Sequence, residues 1–324
     1  MVIRPANHGI FAAGGGGGAL VGSGFWVCGV DGTAPTARDD IDKMPWATET
    51  SALLSTVLSE TYNYGAGASD PSVAGYHMGG GAAGLHDTIE KFNFTNDTIA
   101  TLGITLTEDN YANAGFADAG VAGYSAGGSP SVGWADHVDR IAFPGDTKST
   151  LGSGLANGTG YVIGNADNAV AGYSSGGYRG TWPVMYRDID KWSFPSETHS
   201  MVSDGLSLKA MYHAAIADAG VAFYYGGGQG SNATWMPTMV HVDRWACPSE
   251  VRSAVSTDLS VSRNRLAGAS NSGTAGYFGA GYTSSWLDTV DKYVFPAETR
   301  TVLGNALTEG RYTITSWSDC GALA

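Results

Sequence analysis

The sequence predicts an all-β chain, a six-bladed β-propeller with four antiparallel strands per blade that is closed by its C-terminal strand. Three observations predict it. One phrase recurs six times: "DIDKMPWATET" (40–50), "TIEKFNFTNDT" (88–98), "HVDRIAFPGDT" (137–147), "DIDKWSFPSET" (188–198), "HVDRWACPSEV" (241–251) and "TVDKYVFPAET" (289–299). A repeat of about fifty residues marks a propeller or a solenoid. Second, 48 Gly, 16 Tyr and 9 Trp among 324 residues, with only 15% charged, favour strands and tight turns over helices. Third, the two ends of the chain read as complementary parts of one unit.

Each unit parses into four segments, shown best by the third. The first is "YANAGFADAG" (111–120). The second, "VAGYSAGG" (121–128), ends in a Gly pair that lets the chain twist out of the strand. Its phrase returns as "NADNAVAGYSSGG" (165–177) and "IADAGVAFYYGGG" (216–228). After a variable loop comes "HVDRIAFP" (137–144), then a turn, then "TKSTLGSGL" (147–155). In a strand, Asp139, Ile141 and Phe143 share one face and Val138, Arg140 and Ala142 the other. The aromatic pair recurs as Phe92/Phe94, Trp192/Phe194 and Tyr293/Phe295. Burying each ring is worth about 1.5–3 kcal/mol. Sheets apolar on both faces need neighbours on both sides, which a closed ring supplies. A linear solenoid would need polar caps, which the ends of this chain do not offer.

The acid of the phrase is Asp42, Glu90, Asp139, Asp190, Asp243 and Asp291, each followed by Lys or Arg. Six copies point to architecture, with each acid bonded to neighbouring strands or backbone amides. The acid of the following turn (Glu49, Asp97, Asp146, Glu197, Glu250, Glu298) is the expected partner of that base across its own hairpin.

The ends set the closure. "SWSDCG" (316–321) aligns with "GFADAG" (115–120), a first strand and its turn. "GFWVCG" (24–29) aligns with "GYSAGG" (123–128), a second strand. The last strand is therefore expected beside Phe25–Gly29, completing the first blade within a propeller domain of residues 21–324. Residues 1–20, with "NHGIFAAGGGGG" (7–18), are then expected to form a Gly-rich arm used in assembly. A competing register would use "GIFAAGG" (9–15) as the second strand.

The formal net charge is −13, with no basic stripe, which disfavours nucleic acid and anionic membranes as partners. No apolar run is long enough to span a bilayer, and the N-terminus does not read as a signal peptide. Cys28, Cys247 and Cys320 are read as small buried hydrophobes. The seven histidines (His8, His77, His86, His137, His199, His213, His241) form no ligand pair, no calcium loop occurs, and no Ser or Cys has an identifiable base, so neither cofactor nor metal is expected. "GGGGG" (14–18) lacks the Gly-Lys-Ser/Thr of a phosphate loop. The chain is read as a non-enzyme.

A strand ending in Gly-Gly, then Val-Asp with a base and an aromatic, then a Thr-bearing turn and a last strand, resembles the kelch repeat. "AGYSAGG…VDRIAFPGDT…STLGSGL" is similar to kelch-like repeats in structural proteins of tailed bacteriophages. The chain departs from standard kelch in lacking a regular fourth-strand Trp, and Arg precedes the first strand only at Arg263, Arg265 and Arg311. The resemblance implies a virion protein, in a tail fibre, neck appendage or capsid decoration, made in the host cytoplasm. Its partners would be other virion proteins in a symmetric or homo-oligomeric assembly, with a host surface glycan or protein as receptor. The copper of kelch-type oxidases has no matching ligands here.

Variation concentrates between the Gly pair and the Val-Asp strand: "SPSVGWAD" (129–136), "YRGTWPVMYRD" (178–188), "QGSNATWMPTMVHVD" (229–243) and "YTSSWLD" (282–288). These loops carry Trp134, Trp182, Trp235 and Trp286 at what reads as one topological place, with Tyr186 and Met236 nearby. Trp134 and Trp286, in short loops, are read as caps over blade interfaces. Trp182 and Trp235 are balanced between cap and contact surface for a glycan or protein. A glycan-binding lectin is the alternative function. A polysaccharide-acting enzyme is a third, and would need a converging acid pair in the central channel.

Overall fold

The computed structural model describes residues 22–31, 36–180, 184–230, 237–304 and 307–319. The expected arm at residues 1–20 lies outside them. Among the described residues every regular element is a strand, and six antiparallel sheets form a six-bladed β-propeller. Blade 3 is typical: Ala114–Asp118 is innermost, followed by Ala122–Ala126, Val138–Ala142 and Thr147–Thr150. The inner strands of blades 2, 4, 5 and 6 are Ala66–Asp70, Ile163–Asp167, Ala214–Asp218 and Ala267–Asn271.

Blade 1 is built from both ends of the chain. The C-terminal strand Thr315–Ser318 is its innermost, beside Ser23–Asp31, Ala37–Pro45 and Ala52–Leu53. Phe25 faces Trp317 and Val27 faces Thr315 in an antiparallel register. The closing strand is where the sequence places it, and the competing register is excluded. Trp317 is fully buried and donates from Nε1 to the Tyr76 carbonyl of blade 2 at 2.9 Å.

The core is divided into wedges between adjacent sheets. Ile141 and Phe143 pack with Tyr76 and Ile89 of blade 2, whereas Val138 packs with Trp192 and Phe194 of blade 4. The period-two alternation of the third strand thus sends one face to each neighbour. The Gly pair does turn the chain out of the second strand: Gly127 and Gly128 have φ of 64° and 114°. Blades 6 and 1 make the same turn with Ala280 and Cys28 in the first place. Cys28 is buried and Cys247 packs against an inter-blade core, while Cys320 lies outside the described residues. The turn prolines Pro144, Pro195, Pro248 and Pro296 follow cis peptide bonds.

Each third-strand acid crosses to the previous blade. Glu90, Asp139, Asp190, Asp243, Asp291 and Asp42 accept from the backbone N–H of Ser59, Thr107, Ala156, Ser207, Ser260 and Thr308, at 2.6–3.3 Å. The turn acids differ from expectation. Lys91 pairs with Asp146 of blade 3, not with Asp97 of its own hairpin, and Asp97 pairs with Lys43 of blade 1. Arg140–Glu197, Lys191–Glu250, Arg244–Glu298 and Lys292–Glu49 repeat the pattern around the ring. The reason is geometric. The base shares the face of Val138, which looks toward the next blade, while the turn acid projects back toward the previous one.

Candidate binding face

The two ends of the disc differ in construction. One end carries the turns between first and second strands and between third and fourth. The other carries the variable loops and the connections between blades.

The turn end repeats one pattern with few departures. Tyr76, Tyr124, Tyr173, Tyr224 and Tyr277 donate to the turn acid of the next blade at 2.7–3.0 Å, alongside the repeated base. In blade 1 the equivalent residue is Phe25, with the Lys43 ammonium 5.6 Å from its ring centroid. Nearer the axis, Asp70, Asp118, Asp167 and Asp218 accept from the turn amides of Gly120, Ala169, Gly220 and Gly273 at 2.9–3.1 Å. Burial raises all four carboxyls above their ordinary range despite these bonds.

Along the axis the inner strands almost touch. A Cβ on Gly115 would meet the Gly67 carbonyl oxygen at 2.1 Å, and one on Gly164 the Gly115 oxygen at 2.0 Å. Only Gly fits there. What remains is a cavity of about 60 Å³, and none of the described residues lining it is ionisable.

At the loop end the axis is covered by tyrosines. Tyr64, Ala112, Tyr161, Tyr212, Arg265 and Thr313 each enter an inner strand in the left-handed conformation, with φ of 56–60°. Neighbours in this ring join through their backbones: Ala112 N–H donates to Tyr64 C=O, Tyr161 to Ala112, Arg265 to Tyr212, Thr313 to Arg265 and Tyr64 to Thr313, at 2.7–3.0 Å. The side chains therefore converge. Tyr64 lies 5.7 Å, centroid to centroid, from both Tyr161 and Tyr212, which are 4.8 Å apart. Tyr111 and Tyr161 share a hydrogen bond of 2.8 Å between hydroxyls. Burial, the largest cause, and neighbouring phenols push Tyr64 and Tyr161 far above the usual phenol range, so both stay neutral. The Arg265 guanidinium sits 4.6 Å from the Tyr212 ring centroid and 5.3 Å from that of Tyr312.

The predicted contact residues fall around this plug. Trp134 packs edge-on against Tyr178 at 4.9 Å and near Tyr161 at 6.3 Å, as a cap. Trp286, expected to do the same, leaves 37% of its surface exposed and touches Tyr282 edge-on at 6.1 Å. Tyr186 lies under the Arg179 guanidinium at 3.5 Å, and Arg179 pairs with Asp188. Trp182, Trp235 and Met236 lie outside the described residues. Tyr178 bridges to Met185, Gln229 to Thr238 and Tyr282 to Trp286, so the place of Trp286 belongs to Met185 in blade 4 and Thr238 in blade 5. Trp182 and Trp235 fall three residues earlier in their longer loops.

The tyrosine plug is missing from the sequence-predicted set. Its signal is a Tyr or Arg two or three residues before each inner strand, as in "YNYGAGA" (62–68), "YVIGNA" (161–166) and "RLAGAS" (265–270). These residues read as parts of the strand because nothing in the repeat marks the left-handed turn.

Among the described residues no group of three His, Cys, Asp or Glu side chains is placed to hold a metal ion, and no helix is long and apolar enough to cross a membrane. The chain matches no protein-family model, and no curated protein matches it.

Proposed function

We propose that this chain is a non-enzymatic structural protein of a tailed-phage particle, a rigid propeller module that presents its loop end to a partner in particle assembly or host attachment. One observation carries the binding part of this reading. The repeated acids bond the same way around the ring, while sequence variation and aromatic exposure collect on one end. Chemistry spent identically in each sector is architecture, and a single divergent face is where recognition belongs. The phage setting rests on the resemblance of the repeat.

A glycan-binding lectin is the second reading, favoured by the half-exposed aromatics around Arg265 and Trp286. A polysaccharide-acting enzyme is less well supported. It would need two carboxyls across a shared space, roughly 5–10 Å apart, and the repeated acids are occupied with backbone amides and bases. The test is mass spectrometry of purified particles. The chain is expected in a fixed copy number per particle, and its absence from particles whose genome encodes it would overturn the proposal.

A further inference from the structure

We infer that the axial mouth of the loop end is a binding site for a carboxylated saccharide, with Arg265 holding the carboxylate and the aromatic row from Tyr312 to Trp286 carrying the sugar rings. This rests on the reading of the loop end as the recognition face and names its ligand class.

The argument starts from charge. The chain has 30 acidic and 17 basic residues, and its bases are mostly engaged with carboxylates. Arg265 is different. Among the described residues no Asp or Glu pairs with it, and the residues outside them include no Asp or Glu at all. Its partners are rings, Tyr212 and Tyr312, and its position is pinned by backbone bonds to Tyr212 and Thr313. A half-buried guanidinium without a counter-ion is a ready partner for one carboxylate, which it can bind through two parallel hydrogen bonds. The tyrosines stack on it without neutralising it.

The surroundings select the rest of the ligand. From Arg265 outward, Tyr312 lies 5.4 Å from Tyr282, and Tyr282 lies 6.1 Å from the exposed Trp286. Such a row offers apolar faces and phenolic edges to sugar rings, the mixed character that amphipathic aromatics supply. The cavity beneath, about 60 Å³, is too small for a sugar, so the ligand lies across the mouth. One cation at the mouth, on a chain of net charge −13, suits one carboxylate, not a densely charged polyanion.

The test is calorimetric titration of the full chain with glucuronosyl-xylobiose and with sialyllactose, each carrying one carboxylate, each against its neutral methyl ester. At least one acid should bind about tenfold more tightly than its ester, the loss expected for one charge-assisted contact. The preference should shrink as salt rises, disappear in Arg265→Gln and persist in part in Arg265→Lys. Trp286→Ala should weaken acid and ester alike. Equal affinity for acid and ester overturns the inference, as does absence of binding by both acids, or a preference that survives in a folded Arg265→Gln. The wild-type comparison decides even where a variant does not fold. Binding of a peptide with a free C-terminal carboxylate, but of neither saccharide, would also overturn it. Particle mass spectrometry is independent of these titrations, so the virion reading can stand or fall separately.

Discussion

The turn end and the loop end of this disc are made by the same six units, yet they obey different rules. At the turn end, base and turn acid make the same cross-blade contact in all six sectors, and a tyrosine hydroxyl joins in five. At the loop end, equivalent places hold Trp286, Met185 or Thr238, and the axis is covered by five tyrosines and one arginine drawn unevenly from the blades. The difference teaches where each kind of constraint acts. Closing a ring requires each junction to match the next, so the turn end cannot drift in one blade alone. Loops that hang from finished sheets are free to differ.

The strongest way to break the comparison is to open the ring. Removing residues 313–324 takes away the inner strand of blade 1 and leaves Phe25 and Val27 without Trp317 and Thr315. Cooperative thermal unfolding of the whole chain should be lost by circular dichroism. Removing residues 2–16 should leave the transition in place.

The next effect lies at the same junction. Arg311 and Asp42 form an ion pair with no exposure on either side. Arg311→Met alone should cost about 3–5 kcal/mol, because it leaves Asp42 buried without its cation. Adding Asp42→Leu should recover much of that loss in urea titrations.

Acid offers a third handle. His77 and His213 are buried, and burial lowers both from 6.5 to about 4. Their neutral forms are favoured in the fold, so stability is intact above pH 6.5 and falls as pH drops toward 4. The limit is about 3 kcal/mol for each imidazole. The raised Asp70, Asp118, Asp167 and Asp218 act in the opposite sense, gaining protons in the fold before the unfolded chain does. The partly exposed His241, raised by its hydrogen bond to Asp243, also opposes the trend. A His77→Leu, His213→Leu double variant should flatten the decline between pH 6.5 and 4 in denaturant midpoints.

The smallest effects sharpen the contrast between the ends. Lys91→Met removes one of six partly exposed ion pairs and should cost about 0.5–1 kcal/mol. Trp286→Ala, at an exposed loop position, should change stability by less than about 0.5 kcal/mol in the same assay. A larger loss for Trp286 than for Lys91 would mean that the loop end is structural after all.

The sequence by itself determined the blade count, the four strands of each unit, the faces of the third strand and the closing role of residues 315–318. These follow from period: a fifty-residue repeat sets the number of blades, a two-residue alternation sets the faces, and matching half-units at the two ends leave one way to join them. Tertiary structure alone decided which partner each repeated group takes. Lys91 has an acid on its own hairpin and another on the next blade, and local spacing favours the first. The twist of the sheet and the direction of its face select Asp146. The loop end was legible only as a place of variation. Tyr64, Tyr161, Tyr212 and Arg265 follow one another at steps of one or two repeats, about fifty to a hundred residues, and meet only because the ring closes and a left-handed residue aims each of them at the axis.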